Sequence, residues 1–148
     1  MISTKGRYAL RIFIDLTEQD SENPVPLRDI AKRQGISNKY LQHIAKSLVD
    51  QGLLVGTSGK GGGYLMARPP QECTVGEVLE AAEGTLAPVA CLACDTVECD
   101  RSSDCKTLPL WQRFDTLSRD FFSSVTIADL VNGTVPSSLN ETEGEQTD

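Results

Sequence analysis

The sequence predicts a mainly α fold with a small β-hairpin: a winged helix-turn-helix followed by a long helix suited to pairing. Three observations carry this. Two segments before residue 51, with a short helix between them, repeat apolar residues at helical spacing. A Gly-rich stretch, LLVGTSGKGGGYLMA, follows directly and reads as a hairpin. Further on, Leu110, Phe114, Leu117 and Phe121 are spaced 4, 3, 4, a seam for a partner helix.

Residues 5–17 form the first predicted helix, with Ala9, Ile12, Phe13 and Leu16 on one stripe. The turn-rich segment Asp20 to Pro26 breaks it. A short helix then runs from Leu27 to Gln34, with Pro26 at its first turn and Gly35 as a left-handed stop. Ser37 is a good N-cap for the third helix, which ends before Gly52. Leu41, Ile44, Ala45 and Leu48 face inward on it. Leu53 to Thr57 and Gly63 to Ala67 are the hairpin strands, and Pro69 and Pro70 end the unit. Thr74-Val-Gly-Glu77 is a capping box, and Gly84 closes the helix it starts. The long helix spans Leu108 to about Ser123, with Trp111 and Phe122 widening its apolar band, and Thr126-Ile-Ala-Asp129 opens a last short helix.

The net charge of −7 hides an asymmetry: residues 1–70 hold ten Lys/Arg against six Asp/Glu, net +4, and residues 71–148 hold four against fifteen, net −11. An acidic total therefore does not exclude nucleic-acid binding by the front half. The expected outer face of the third helix, Asn38, Lys39, Gln42, His43 and Lys46, has cations and hydrogen-bonding groups and no carboxylate. In a winged helix-turn-helix this helix enters the major groove of double-stranded DNA. Gln42 and Asn38 match adenine's edge, and Arg28, Lys39 and Lys46 suit phosphates. Ser37 stands at the helix start, and the Tyr40 ring can pack while its hydroxyl meets a phosphate. Ser58, Gly59, Lys60 and Gly61 make a small cationic wing tip. His43, the single histidine, reads as an exposed polar residue or a DNA contact. A merely solvated helix face would have the same spacing.

The stretch CLACDTVECDRSSDC places Cys91, Cys94, Cys99 and Cys105 in one acidic loop. No apolar run is long enough for a membrane span, and the N-terminus lacks the apolar core of a signal peptide, so a cytoplasmic protein with no membrane partner is expected. There, clustered thiols are metal-binding or redox-active rather than disulfide-bonded. Sulfur ligands select zinc or iron–sulfur clusters; only Cys91/Cys94 is a tight pair of the zinc-finger kind. Cys73, apart from the loop, reads as a small packed residue. The resulting division is a DNA-binding domain over 1–70, the cysteine loop and dimerisation helix over 71–131, and a disordered acidic tail over 132–148.

MISTKGRYALR, PVPLRDIAKRQGIS, GKGGGYLMARPP, TVGEVLEAAEG and LPLWQRFDTLSRDFFSSVTIADLVNG, in that order over residues 1–133, resemble the IscR-like iron–sulfur cluster regulators of the Rrf2 family of winged-helix repressors. The resemblance implies a homodimer crossed through the long helix, on residues such as Leu110, Trp111, Phe114, Leu117 and Phe121. It also implies a [2Fe–2S] cluster held by three loop cysteines, carried over to Cys91, Cys99 and Cys105, with Cys94 as the alternative first ligand. Two departures stand out. Leu108 occupies the place of the fourth, histidine ligand, and Arg7 and Tyr8 stand where some relatives have an acidic one, which leaves Cys94 to substitute and [4Fe–4S] open. In the wing, Ser58 replaces an arginine and Lys60 a proline, and Gln42-His43 replaces Glu-Gln, so the operator is expected to differ.

The expected function is a promoter-binding regulator, chiefly a repressor, sensing iron–sulfur status or redox stress. The alternatives are a zinc- or thiol-based regulator without a cluster, and an iron–sulfur electron carrier. No enzyme or small-molecule substrate is expected: His43 has no nucleophile partner at a recognisable spacing, and the hairpin glycines lead into a strand, not a helix.

Overall fold

The computed structural model describes residues 1–93, 101 and 103–137. Its elements are α1 (Thr4–Gln19), α2 (Leu27–Gln34), α3 (Asn38–Asp50), β1 (Leu54–Thr57), β2 (Gly63–Met66), α4 (Val75–Glu83), α5 (Leu108–Ser124) and α6 (Ile127–Asn132). Single 3-10 turns cover Pro70–Glu72 and Ala90–Leu92. The order is that of a winged helix-turn-helix with a long helix behind it.

The stripe Ala9, Ile12, Phe13 and Leu16 is buried, and so are Leu41, Ile44, Ala45 and Leu48 of α3. These meet Ile30 and Ala31 of α2 in one cluster that also takes in Cys73, Val78 and Ile127. Burying such side chains stabilises by about 1.5–3 kcal/mol each, which sets α3 firmly on α1. Gly35 ends α2 at φ 66°, where a side chain would be strained, and its N–H donates to the Ala31 carbonyl. Ser37 caps α3 by accepting from the Tyr40 N–H at 3.4 Å. This compact turn fixes the outward face of α3.

β1 and β2 pair antiparallel, from Leu54↔Met66 to Thr57↔Gly63. The pairing extends beyond the expected hairpin: the Val25 N–H donates to the Tyr64 carbonyl at 3.0 Å, and the Tyr64 N–H returns one to Val25 at 2.9 Å. The wing is thereby tied to the residue before Pro26, the N-cap of α2.

The expected capping box Thr74/Glu77 forms, and Thr126/Asp129 makes a second one at the start of α6. One tie was not legible locally. Glu83, the last residue of α4, accepts from the Ser3 N–H at 2.7 Å and the Gly6 N–H at 2.9 Å, so it caps α1 from eighty residues away. Burial works to raise the Glu83 carboxyl, but donation from Ser3 and Gly6 outweighs it and holds the group below the usual carboxylate range.

Candidate nucleic-acid interface and thiol loop

Asn38, Lys39, Gln42, His43 and Lys46 are all exposed on α3, as their spacing requires. Asn38 and Gln42 line a cleft of about 710 Å³ between the helix-turn-helix and the wing. Its other walls are Pro26, Leu27 and Arg28 at the start of α2 and the whole hairpin from Gly56 to Tyr64, including Ser58, Gly59, Lys60 and Gly61. Two cations and no carboxylate line this cleft, in a chain of net charge −7. Such a surface favours a polyanion regardless of the sign of the whole.

The cations are available. The Arg28 side chain is 82% exposed, and Asp29 is 3.9 Å from its guanidinium, a weak screened pair. Lys46 bonds Asp50 at 2.9 Å across an exposed helical turn, a contact worth a few tenths of a kcal/mol that a phosphate can displace. Tyr40 packs: its ring meets Tyr8 edge-on, centroids 5.7 Å apart. Thr57, Pro26 and Tyr64 also line the cleft and were absent from the expected set. The extended bias of a residue before proline, here Val25, is the signal that points to a third strand beside the wing.

Of the loop thiols, Cys91 and Cys105 are free and partly exposed, whereas Cys94 and Cys99 lie outside the described residues. Among the described residues no three His, Cys, Asp or Glu side chains converge. Cys105 lies just before α5. Its Sγ is 3.4 Å from the Thr107 hydroxyl, which makes no cap bond of its own. That hydroxyl, then the N–H groups of Thr107 and Leu108, lower the thiol pKa, so this sulfur is inclined to the thiolate that metals and oxidants require. Cys73 is the opposite case: it is 2% exposed, and burial, with help from Glu77, pushes its pKa up to about 11. At pH 8 only roughly a thousandth of it is thiolate. Brief iodoacetamide treatment followed by peptide mapping should therefore label Cys105 and spare Cys73 until the protein is unfolded. Thr107→Val should slow Cys105 labelling. Native-state labelling of Cys73 as fast as that of Cys105 would contradict the packing described.

The long helix is unusual in having no buried residue. Leu110 is 60% exposed, Phe114 53%, Leu117 38% and Trp111 36%. Its C-terminal end is held: Phe121 and Phe122 pack against the cluster of Val75, Leu79, Leu86 and Val125, and Arg119 Nη1 lies 3.7 Å from Glu80 of α4. The apolar seam from Leu110 to Leu117 is open to another surface.

Comparison with known proteins agrees with this geometry. A family model described as Rrf2, iron-dependent transcriptional regulator, matches residues 2–133. The HTH-type transcriptional regulator IscR of Pectobacterium atrosepticum is 34% identical over 147 residues, covering 99% of this chain and 87% of that protein. Among solved structures, CymR, the global cysteine regulator of B. subtilis, superposes with a TM-score of 0.72 at 32% identity, covering 90% of this chain and 98% of that one. T. potens IscR superposes with a TM-score of 0.70 at 30% identity, covering 99% and 93%. With a winged helix-turn-helix, an acid-free cleft and a family match over nearly its whole length, the chain belongs to the Rrf2 family of transcriptional regulators and is not an enzyme.

Proposed function

We propose that this regulator binds promoter DNA as a homodimer, chiefly to repress, and senses iron–sulfur status or oxidants through Cys91, Cys99 and Cys105, with Cys94 as fourth thiolate. The observation that carries the reading is the position of Cys105. Its sulfur lies 3.4 Å from the hydroxyl of Thr107, the N-cap of α5, so a centre bound there sits at the start of the helix bearing the open seam. The donor set is all sulfur, which fits a cluster of either [2Fe–2S] or [4Fe–4S] type. When bound, a cluster supplies a centre whose assembly depends on iron, sulfide and oxidant. Asn38, Gln42 and the wing tip Ser58 to Gly61 read and grip the duplex. Arg28, Ser37, Lys39, Tyr40, His43 and Lys46 supply backbone or neighbouring contacts. Two such units on a two-fold axis suit half-sites about 34 Å apart.

The lowered pKa of Cys105 also favours a second reading, direct thiol sensing without metal. CymR, a cysteine regulator by description, shares this fold. One experiment separates the two. Protein purified without oxygen and reconstituted with iron and sulfide should turn brown or red, and its affinity for selected duplexes should change at fixed salt. A colourless product whose DNA binding responds only to thiol oxidants would favour the second reading. Colour without any effect on DNA would overturn the sensing role.

A further inference from the structure

Among the described residues, Asp15 is the one buried charged side chain, 1% exposed in the middle of α1. It accepts from Arg33 Nε at 3.0 Å and Nη2 at 2.7 Å, a two-pronged fork, and from Gln34 Nε2 at 3.0 Å. Arg11, one turn earlier, donates through Nε to Gln34 Oε1 at 3.0 Å and through Nη2 to the Gln34 backbone carbonyl. Arg33 and Gln34 are the last residues of α2, and Gly35 and the Ser37 cap follow at once. The tilt of α3 is thus inherited from how α2 ends.

A buried carboxylate is a poor way to gain stability, since apolar residues of similar volume hold helices at least as well. What a fork adds is geometry: apolar surfaces tolerate sliding, whereas a planar guanidinium on a carboxylate has one register. Base reading needs that register, because a side chain moved out of hydrogen-bond reach of its base edge loses its discrimination. We propose that Asp15, through Arg33 and Gln34, is a positioning residue for sequence recognition, fixing α3 so that Asn38 and Gln42 meet base edges.

The test compares the native full-length chain with Arg33→Lys, which keeps charge and loses the fork, and with the double variant D15L/R33M, which replaces the ion pair by apolar groups. The probes are a duplex that the native chain enriches from a randomised pool and a random duplex of equal length. Both variants should show the native circular dichroism, and the double variant should melt no lower than the native chain. Affinity for the enriched duplex should fall about tenfold or more while affinity for the random duplex stays the same. Native discrimination in both variants would overturn the proposal and leave the network a purely structural brace. Should the double variant fail to fold, Arg33→Lys alone decides. Failure of the native chain to enrich any duplex is a distinct result, one that overturns base reading itself.

Discussion

Phe114→Glu should leave a folded chain that no longer pairs and that binds a two-half-site operator at least a hundredfold more weakly. The fold is expected to survive because Phe114 is 53% exposed and belongs to neither apolar cluster of the chain. The dimer should not, because of symmetry. In a two-fold interface each substitution occurs twice, so two apolar contacts vanish and two carboxylates are set into an apolar seam. Losing one large buried aromatic costs about 3–5 kcal/mol in a protein interior, and twice this, about 6–10 kcal/mol, is comparable to the roughly 8 kcal/mol that holds a micromolar pair. The DNA penalty follows from linkage: a second half-site engaged intramolecularly adds about 10²–10⁴ in affinity, and a monomer forfeits it. Sedimentation or light scattering gives the mass, and a mobility shift gives the affinity. A dimeric Phe114→Glu protein with native affinity would remove α5 as the interface. Leu117→Glu should act alike, as its side chain lies on the same seam.

The elements legible in the sequence were those with local causes. Gly35, Ser37, Thr74 and Thr126 act within a few residues of themselves, so the ends of α2, α3, α4 and α6 fell close to where propensity put them. The burial of Cys73 was legible too, since a lone small thiol ahead of a helix packs more often than it binds. What escaped was set by long-range contacts. Glu83 is an unremarked acid in α4 until folding brings it to Ser3, and Asp15 resembles a surface residue between Ile14 and Leu16 until Arg33 arrives. The interface was legible as a helix face but not as a cleft, because the Val25–Tyr64 pairing that folds the wing over Asn38 and Gln42 joins segments thirty-nine residues apart. Of the loop, Cys91 and Cys105 can be described and Cys94 and Cys99 lie outside the described residues, so the spacing of the four thiols remains the basis for a shared ligand set.

That same pairing makes Gly63→Ala the second large effect. A methyl group at Gly63 would stand 2.3 Å from the carbonyl carbon and oxygen of Val25 and 2.7 Å from the Pro26 nitrogen, well inside any tolerated contact. These are backbone atoms, so no side chain can swing aside. Either β2 withdraws, breaking the two Val25–Tyr64 hydrogen bonds, or the start of α2 shifts. Two net hydrogen bonds at about 0.5–1.5 kcal/mol each, or overpacking at about 1–3 kcal/mol, predict a fall in Tm of several degrees. The larger consequence is for DNA, because Lys60 rides on the hairpin that this pairing anchors, while Arg28 and Gln42 lie on the helices it is anchored to. A wing that leans away removes the Lys60 contact, so affinity at ~0.1 M salt should fall about tenfold and the salt dependence should lose about one phosphate's worth of slope. Gly59→Ala is the control. Gly59 has φ 87° but nothing within 4 Å of an added methyl group, so it should cost about 1 kcal/mol of local strain and leave the wing anchored. If Gly63→Ala melts and binds like the native chain while Gly59→Ala does not, the wing is held from its tip and not from Val25.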